Sequence, residues 1–263
     1  MHMKNFLWPM LGLAAQPGFA ADASTQAGIY LGLFGGRGVA NSSSLEQQGA
    51  VLINPHLTLP IQAVGPTNRP KLNAGGVQLG YEWSRQAVAR TGWRFSPALE
   101  LEGLYLGKHR PNAEMPVRPR ALGTQYVTLP MTGAAVLANA VFTFQSPYSE
   151  KLLPYFGLGL GAASLSVKGS DSFNPSEPGI NHFNSGPDAS DTAFALQLKA
   201  GVKAELRKNL HFFTEYRHLS VRATRYTFGE TDYPGVHLPT TPWNVSLGRQ
   251  QYHFLMVGLQ YRF

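Results

Sequence analysis

Cysteine is absent from all 263 residues. Its absence excludes disulfides, thiolate metal sites and cysteine nucleophiles, and it removes any risk of mispairing in an oxidising compartment. Beyond the N-terminal stretch, the chain also lacks an uninterrupted apolar run long enough for a membrane-crossing helix. Acidic residues are scarce, 15 against 22 Lys and Arg, which leaves a formal charge of +7. No nucleic-acid recognition module accompanies that charge, so no nucleic-acid partner is expected.

What is present is alternation. In residues 251–263 (QYHFLMVGLQYRF), Leu255, Val257, Leu259, Tyr261 and Phe263 share one parity. Met256, Gly258, Gln260 and Arg262 share the other. A period of two puts the sets on opposite faces of one strand, one suited to lipid and one polar. At the other end, Lys4 precedes an apolar stretch over 6–15 that Pro9 interrupts, and Gly18 and Ala20 supply a small-x-small cleavage pattern. Residues 1–20 are therefore expected to be an export signal, and 21–263 a single mature domain.

Eight alternating segments follow, over 27–37, 74–84, 93–105, 134–144, 154–167, 192–206, 210–222 and 251–263. Each suits the roughly 9–11 residues with which a tilted strand crosses a bilayer. Connections alternate between short (85–92, 145–153, 207–209) and long (38–73, 106–133, 168–191, 223–250). Short periplasmic turns and long extracellular loops predict an all-β fold, an eight-stranded antiparallel transmembrane barrel with both ends periplasmic. Parity sends Glu82, Glu100, Glu102, Glu205 and Glu215 inward together with Arg94, Lys199, Lys203, Arg217 and Arg262. Five acids against five bases predict a paired network in the lumen, because an unpaired buried charge is costly. Eight strands enclose just enough room for side chains to fill, which makes a narrow ion channel a minor alternative.

Three segments, PYFGLGLGAA, LKAGVKAELRKNLHFFTEYRHL and HFLMVGLQYRF, resemble the last four strands of the opacity / outer-membrane protein A type barrel superfamily. The terminal set Leu255, Val257, Leu259, Tyr261 and Phe263 is similar to the sorting signal of such barrels, which the barrel-assembly machinery reads. The resemblance implies an integral outer-membrane location and a non-enzymatic role in envelope integrity, or in contacts with a host or environmental ligand through the loops.

One chemical alternative arises from His218-Leu219-Ser220, whose first and third residues share the outward parity. The pair resembles that of lipid A 3-O-deacylases, which implies a Ser220 nucleophile and a His218 base, with Glu230 as the nearest C-terminal acid besides Asp232 to orient the ring. Val221 stands where that pattern has Asn, and no Asn-Pro-Gly segment follows. The competing reading gives His218 an interfacial aromatic position.

The loop side carries Arg69, Lys71, Lys108, Arg110, Arg118, Arg120, Arg222, Arg225 and Arg249. They predict a positive extracellular rim facing lipopolysaccharide phosphates or another acidic polymer. Loops 38–73 and 168–191, rich in Ser, Asn, Pro and Gly, read as mobile surface segments, with a short hairpin where 51–53 meets 57–59. His182 and His237 read as isolated, solvated loop residues. Asp171, Asp188 and Asp191 lack the spacing of a calcium loop, so neither metal nor cofactor is expected.

Overall fold

The computed structural model describes residues 27–88, 91–149 and 151–263. The expected export signal over 1–20 lies outside the described residues. In chain order the strands are β1 (Gly28–Ala40), β2 (Ser44–Asn54), β3 (Leu57–Pro66), β4 (Lys71–Glu82), β5 (Gln86–Ala87), β6 (Arg94–His109), β7 (Asn112–Arg118) and β8 (Thr124–Thr128). Then come β9 (Met131–Gln145), β10 (Leu152–Val167), β11 (Asp171–Phe173), β12 (Ala189–Arg207), β13 (Leu210–Val221), β14 (Thr224–Phe228), β15 (Trp243–Leu247) and β16 (Gln250–Arg262).

Eight of these close into an antiparallel barrel in the order β4–β1–β16–β13–β12–β10–β9–β6, sealed by β4 against β6, with β5 appended to β6. The expected segments coincide with these strands to within a few residues. Alternation is the cause: each barrel strand has lipid on one side and packed lumen on the other, so period two persists along its whole length. Leu31, Leu33, Leu79, Leu99, Leu101, Leu158, Leu160, Leu196, Leu198, Leu255, Val257 and Leu259 stand exposed outward, forming the apolar band.

Small inward residues make room for large ones. On β10 a Cβ at Gly159 would fall on the Asn139 side chain, and one at Gly161 on the Val136 carbonyl. The space they leave is filled by residues from facing strands.

The lumen divides by height. Its extracellular half is largely apolar, filled by Leu72, Leu104, Leu106, Met131, Leu137, Leu165, Leu219, Tyr252 and Phe254, all nearly or fully buried, with His109 and Gln250 as polar partners of the Tyr252 hydroxyl. The periplasmic half is charged.

Above the barrel the long connections form a second sheet, in the order β11–β8–β7–β3–β2–β15–β14. The expectation of mobile loops is thus corrected. Of their strands, the hairpin expected near 51–59 is present as β2 and β3, with Val51 opposite Leu59. In this cap Leu45, Ala63, Met115, Val117, Val127, Tyr226, Phe228, Trp243, Val245 and Leu247 are buried, in a cluster continuous with the apolar residues of the upper lumen. Part of the 168–191 connection packs on it: Phe183 is buried and stacks on Phe228 with centroids 4.5 Å apart.

Candidate functional site: lumen, lipid face and extracellular cap

The lumen charges form two adjacent ion-pair clusters, linked where Lys203 lies over the Tyr30 and Tyr155 rings. Arg217 Nη1 donates to Glu102 Oε1 at 2.6 Å, and Arg217 Nη2 donates to Glu215. Lys199 bonds Glu100 and lies 3.6 Å from Glu102. Glu82 meets Arg262 at 3.2 Å and Lys203 at 3.7 Å. Neutral donors complete the carboxylates: Tyr30 Oη to Glu100 at 2.9 Å, Tyr155 Oη to Glu215 at 2.7 Å, and the Asn139 and Gln197 amides to Glu102 at 3.3 and 3.2 Å. The Arg217 guanidinium also lies 4.2 Å from the centre of the Phe34 ring.

Two residues expected among these charges stand apart from them. Arg94 is exposed and Glu205 half-exposed, and neither has an ion-pair partner among the described residues. Both have the inward parity, but they lie at the periplasmic strand ends, where water reaches them. The two clusters together are therefore four acids, Glu82, Glu100, Glu102 and Glu215, against four bases, Lys199, Lys203, Arg217 and Arg262. Each of these eight charged groups has at least one oppositely charged partner in a packed interior.

On the lipid face, His218 and Ser220 point outward, beside a hollow of about 640 Å³ walled by Leu99, Leu158, Leu160, Leu196 and Leu198. The small Ala138 and Ala140 side chains leave that space. The expected triad is not assembled, however. The neighbour of His218 is His253, with ring centroids 4.7 Å apart. Asn41 Nδ2 donates to His253 Nε2 at 3.1 Å, so His253 Nδ1–H is turned to the Tyr216 hydroxyl, 2.5 Å away. No bond joins Ser220 to His218 among the described residues. Glu230 lies beyond β14 in the cap, where its backbone carbonyl accepts from the Ser185 hydroxyl at 2.7 Å. Strand β14 belongs to the cap sheet, where it pairs with β15, and so carries the chain away from His218. Glu230 as the orienting acid is a correction, and its cause is the fold of the cap.

The nine expected rim cations are all exposed. Register now distinguishes among them. Lys71, Arg222 and Arg249 continue the outward parity of Val77 and Leu79, of Phe212 and Tyr216, and of Leu255 and Val257. Lys108 joins them after an irregularity between Leu106 and His109 shifts the register of β6. Arg37, which sequence reading passed over, sits opposite Asn73 on the same margin and donates to its Oδ1 at 3.2 Å. These five close the lipid-facing stripes at their extracellular ends, and among the described residues none has a carboxylate partner.

In the cap, a cavity of about 360 Å³ opens between β2, β3, β7 and the 174–182 and 236–243 segments. Its walls are apolar, with Val51, Leu59, Ile61, Leu122 and Trp243, and Glu177, His182 and His237 project into it. The two histidines are thus neither isolated nor solvated: His182 is buried, His237 half-buried, and their rings lie 5.5 Å apart. A polar chain underlies them, from Gln125 Nε2 to Ser172 Oγ at 2.7 Å and on to Gln47 Oε1 at 3.0 Å. On the outer side of β2, amides of Gln62 and Gln48 donate to Glu46 and hold its carboxyl below the usual range.

Residues 6–263 match the outer membrane protein beta-barrel domain family. The chain belongs to that family. As a member, it is an integral outer-membrane barrel, in agreement with the closed eight-stranded sheet and its apolar band. Among solved structures it is similar to the outer membrane protein OprG from Pseudomonas aeruginosa, with 13% identity, 92% of this chain and 99% of that chain covered, and a TM-score of 0.44. It is also similar to Neisserial surface protein A, with 13% identity, 90% and 99% coverage and a TM-score of 0.37. The outer membrane protease OmpT from Escherichia coli matches with 8% identity, 88% and 97% coverage and a TM-score of 0.39. No curated protein matches the sequence.

Proposed function

We propose that this family member is a non-catalytic surface barrel that holds lipopolysaccharide phosphates at its extracellular margin, contributes to envelope integrity and presents its cap to external partners. The observation that carries this reading is the set Arg37, Lys71, Lys108, Arg222 and Arg249. Each ends a lipid-facing stripe, and none is answered by a carboxylate among the described residues. Long cationic side chains there lay their stems along apolar surface and lift their heads to the phosphate layer.

The test is the affinity of the detergent-refolded protein for lipopolysaccharide, intact or stripped of phosphate. Replacing Lys71, Lys108, Arg222 and Arg249 by Gln removes four exposed contacts worth roughly 0.5 kcal/mol each, about thirtyfold in affinity. Dephosphorylated ligand is expected to bind the wild type as weakly as intact ligand binds the variant. Equal affinity across all four combinations would reject the reading.

The hollow beside His218 and Ser220 favours a second reading, an outer-leaflet lipid hydrolase, and mass spectrometry of lipid A separates the two. Unchanged lipid A in cells expressing the protein is the outcome expected here. Loss of one hydroxyacyl chain, abolished by Ser220→Ala, would establish the hydrolase instead.

A further inference from the structure

His182, Glu177 and His237 meet at the wall of the cap cavity, with both ring Nε2 atoms turned to one carboxyl group. His182 Nδ1 lies 2.8 Å from the Ser172 carbonyl, an oxygen that only accepts, so Nδ1 carries the proton and donates to it. The Gln125 amide nitrogen, 3.1 Å from the same atom, gives one of its two N–H groups to the Ser172 hydroxyl at 2.7 Å, and the shorter contact of Nδ1 is the one to the carbonyl. His237 Nδ1 is committed in the same way, to the Leu238 carbonyl. In a neutral ring at either position the lone pair would therefore fall on Nε2.

Both Nε2 atoms face the Glu177 carboxylate. His182 Nε2 is 3.1 Å from Oε2, and His237 Nε2 is 3.4 Å from Oε1. Lone pairs at that distance from an anion repel it unless something positive lies between. Two further protons would serve, turning both rings cationic around one carboxylate. A single metal ion serves equally, and the spacing suits it: bonds of about 2.0–2.1 Å in a tetrahedron set neighbouring ligands about 3.3 Å apart. One ligand atom from each residue lies within 4.8 Å of those from the others.

We propose that Glu177, His182 and His237 form an extracellular site for a divalent transition-metal ion of the zinc class, with one coordination position open to the apolar cavity. Imidazole nitrogens with a carboxylate select zinc, nickel or copper over magnesium and calcium, which prefer all-oxygen shells. Backbone carbonyls receiving the two Nδ1–H groups supply the outer-shell support that orients metal-binding imidazoles. The cap itself holds the ligands in place. Ser172 N–H bonds the Asn181 side chain at 3.1 Å, Thr231 Oγ1 bonds the His182 carbonyl at 3.0 Å, and Trp243 Nε1 bonds Thr231 at 3.1 Å. Three protein ligands leave a fourth position for water or for a donor atom of whatever enters the cavity. This inference is independent of the rim.

The full chain, without a polyhistidine tag and refolded in detergent at neutral pH, is titrated with zinc chloride and in parallel with cobalt chloride. One ion per chain is expected, with the intense visible absorption of four- or five-coordinate cobalt. His237→Gln and Glu177→Gln are each expected to weaken binding roughly tenfold or more. Glu177 is the exposed member, its side chain 37% accessible against 7% for His182 and 11% for His237, so Glu177→Gln is the variant expected to keep the cap, and protease resistance of the extracellular strands verifies that in each. A wild type with an intact cap that binds neither ion would overturn the proposal, as would binding unchanged in both variants.

Discussion

The lumen and the extracellular surface treat charge in opposite ways. Inside the barrel, four carboxylates meet four cations, and Tyr30, Tyr155, Asn139 and Gln197 supply further donors to the carboxylates. Outside, Arg37, Lys71, Lys108, Arg222 and Arg249 have no carboxylate partner among the described residues, and in the cap two imidazoles turn their Nε2 atoms to one carboxylate. A charge already answered by its neighbours holds a structure together. One left unanswered at a surface is available to something else. On that ground the lumen is read as scaffold and the rim and cap as the working parts.

The largest effect that would sharpen this contrast is in the lumen. Glu102→Ala leaves Arg217 with only Glu215, and Lys199 with only Glu100. Removing one partner of a buried pair costs about 3–5 kcal/mol, to be read as a lower urea midpoint of the refolded barrel. Lipopolysaccharide affinity of the surviving folded fraction should not change. A stability equal to wild type would mean that the lumen pairs do not carry the scaffold.

Next comes the cap. Trp243→Ala removes a buried ring that packs edge-on to His182 at 5.9 Å and donates to Thr231, at a cost of about 3–5 kcal/mol. Limited proteolysis should then cut the 223–250 and 168–191 connections while the barrel keeps its heat-modifiable migration on gels. Loss of the barrel together with the cap would show that cap and barrel are one cooperative unit.

The smallest effect belongs to Glu46. Its carboxyl is held below the ordinary value by Gln62 and Gln48, so its contribution is present above the unfolded pKa and fades as pH falls through the lower folded one. The group is solvent-accessible, so Glu46→Gln should shift cap protease resistance barely at neutral pH and not at all in acid. A large acid-dependent loss would place a buried role there.

The barrel was legible in the sequence because lipid and lumen impose period two over a dozen residues at a time, as in 251–263. The inward charges were legible by the same parity. Arg94 and Glu205 differ because parity gives the direction of a side chain but not its depth, and both stand at the wet periplasmic end. The cap was harder to read. Trp243, Val245 and Leu247 do alternate, but only over five residues, and β2 interrupts its buried face with the polar Gln47. Glu177, His182 and His237 lie far apart in sequence and meet only after the cap has folded, so no spacing announces them. Glu230 misled for the converse reason, since nearness in sequence to His218 does not survive the course of β14.

The most direct test of the division between scaffold and surface is planar-bilayer conductance of the refolded wild-type barrel. The account predicts no discrete openings, because paired charges fill the periplasmic half of the lumen and Leu104, Leu106, Leu137, Leu165 and Phe254 fill the half above it. Reproducible single-channel steps whose ion selectivity changes with Glu102→Gln would contradict it, since the lumen charges would then line a working path.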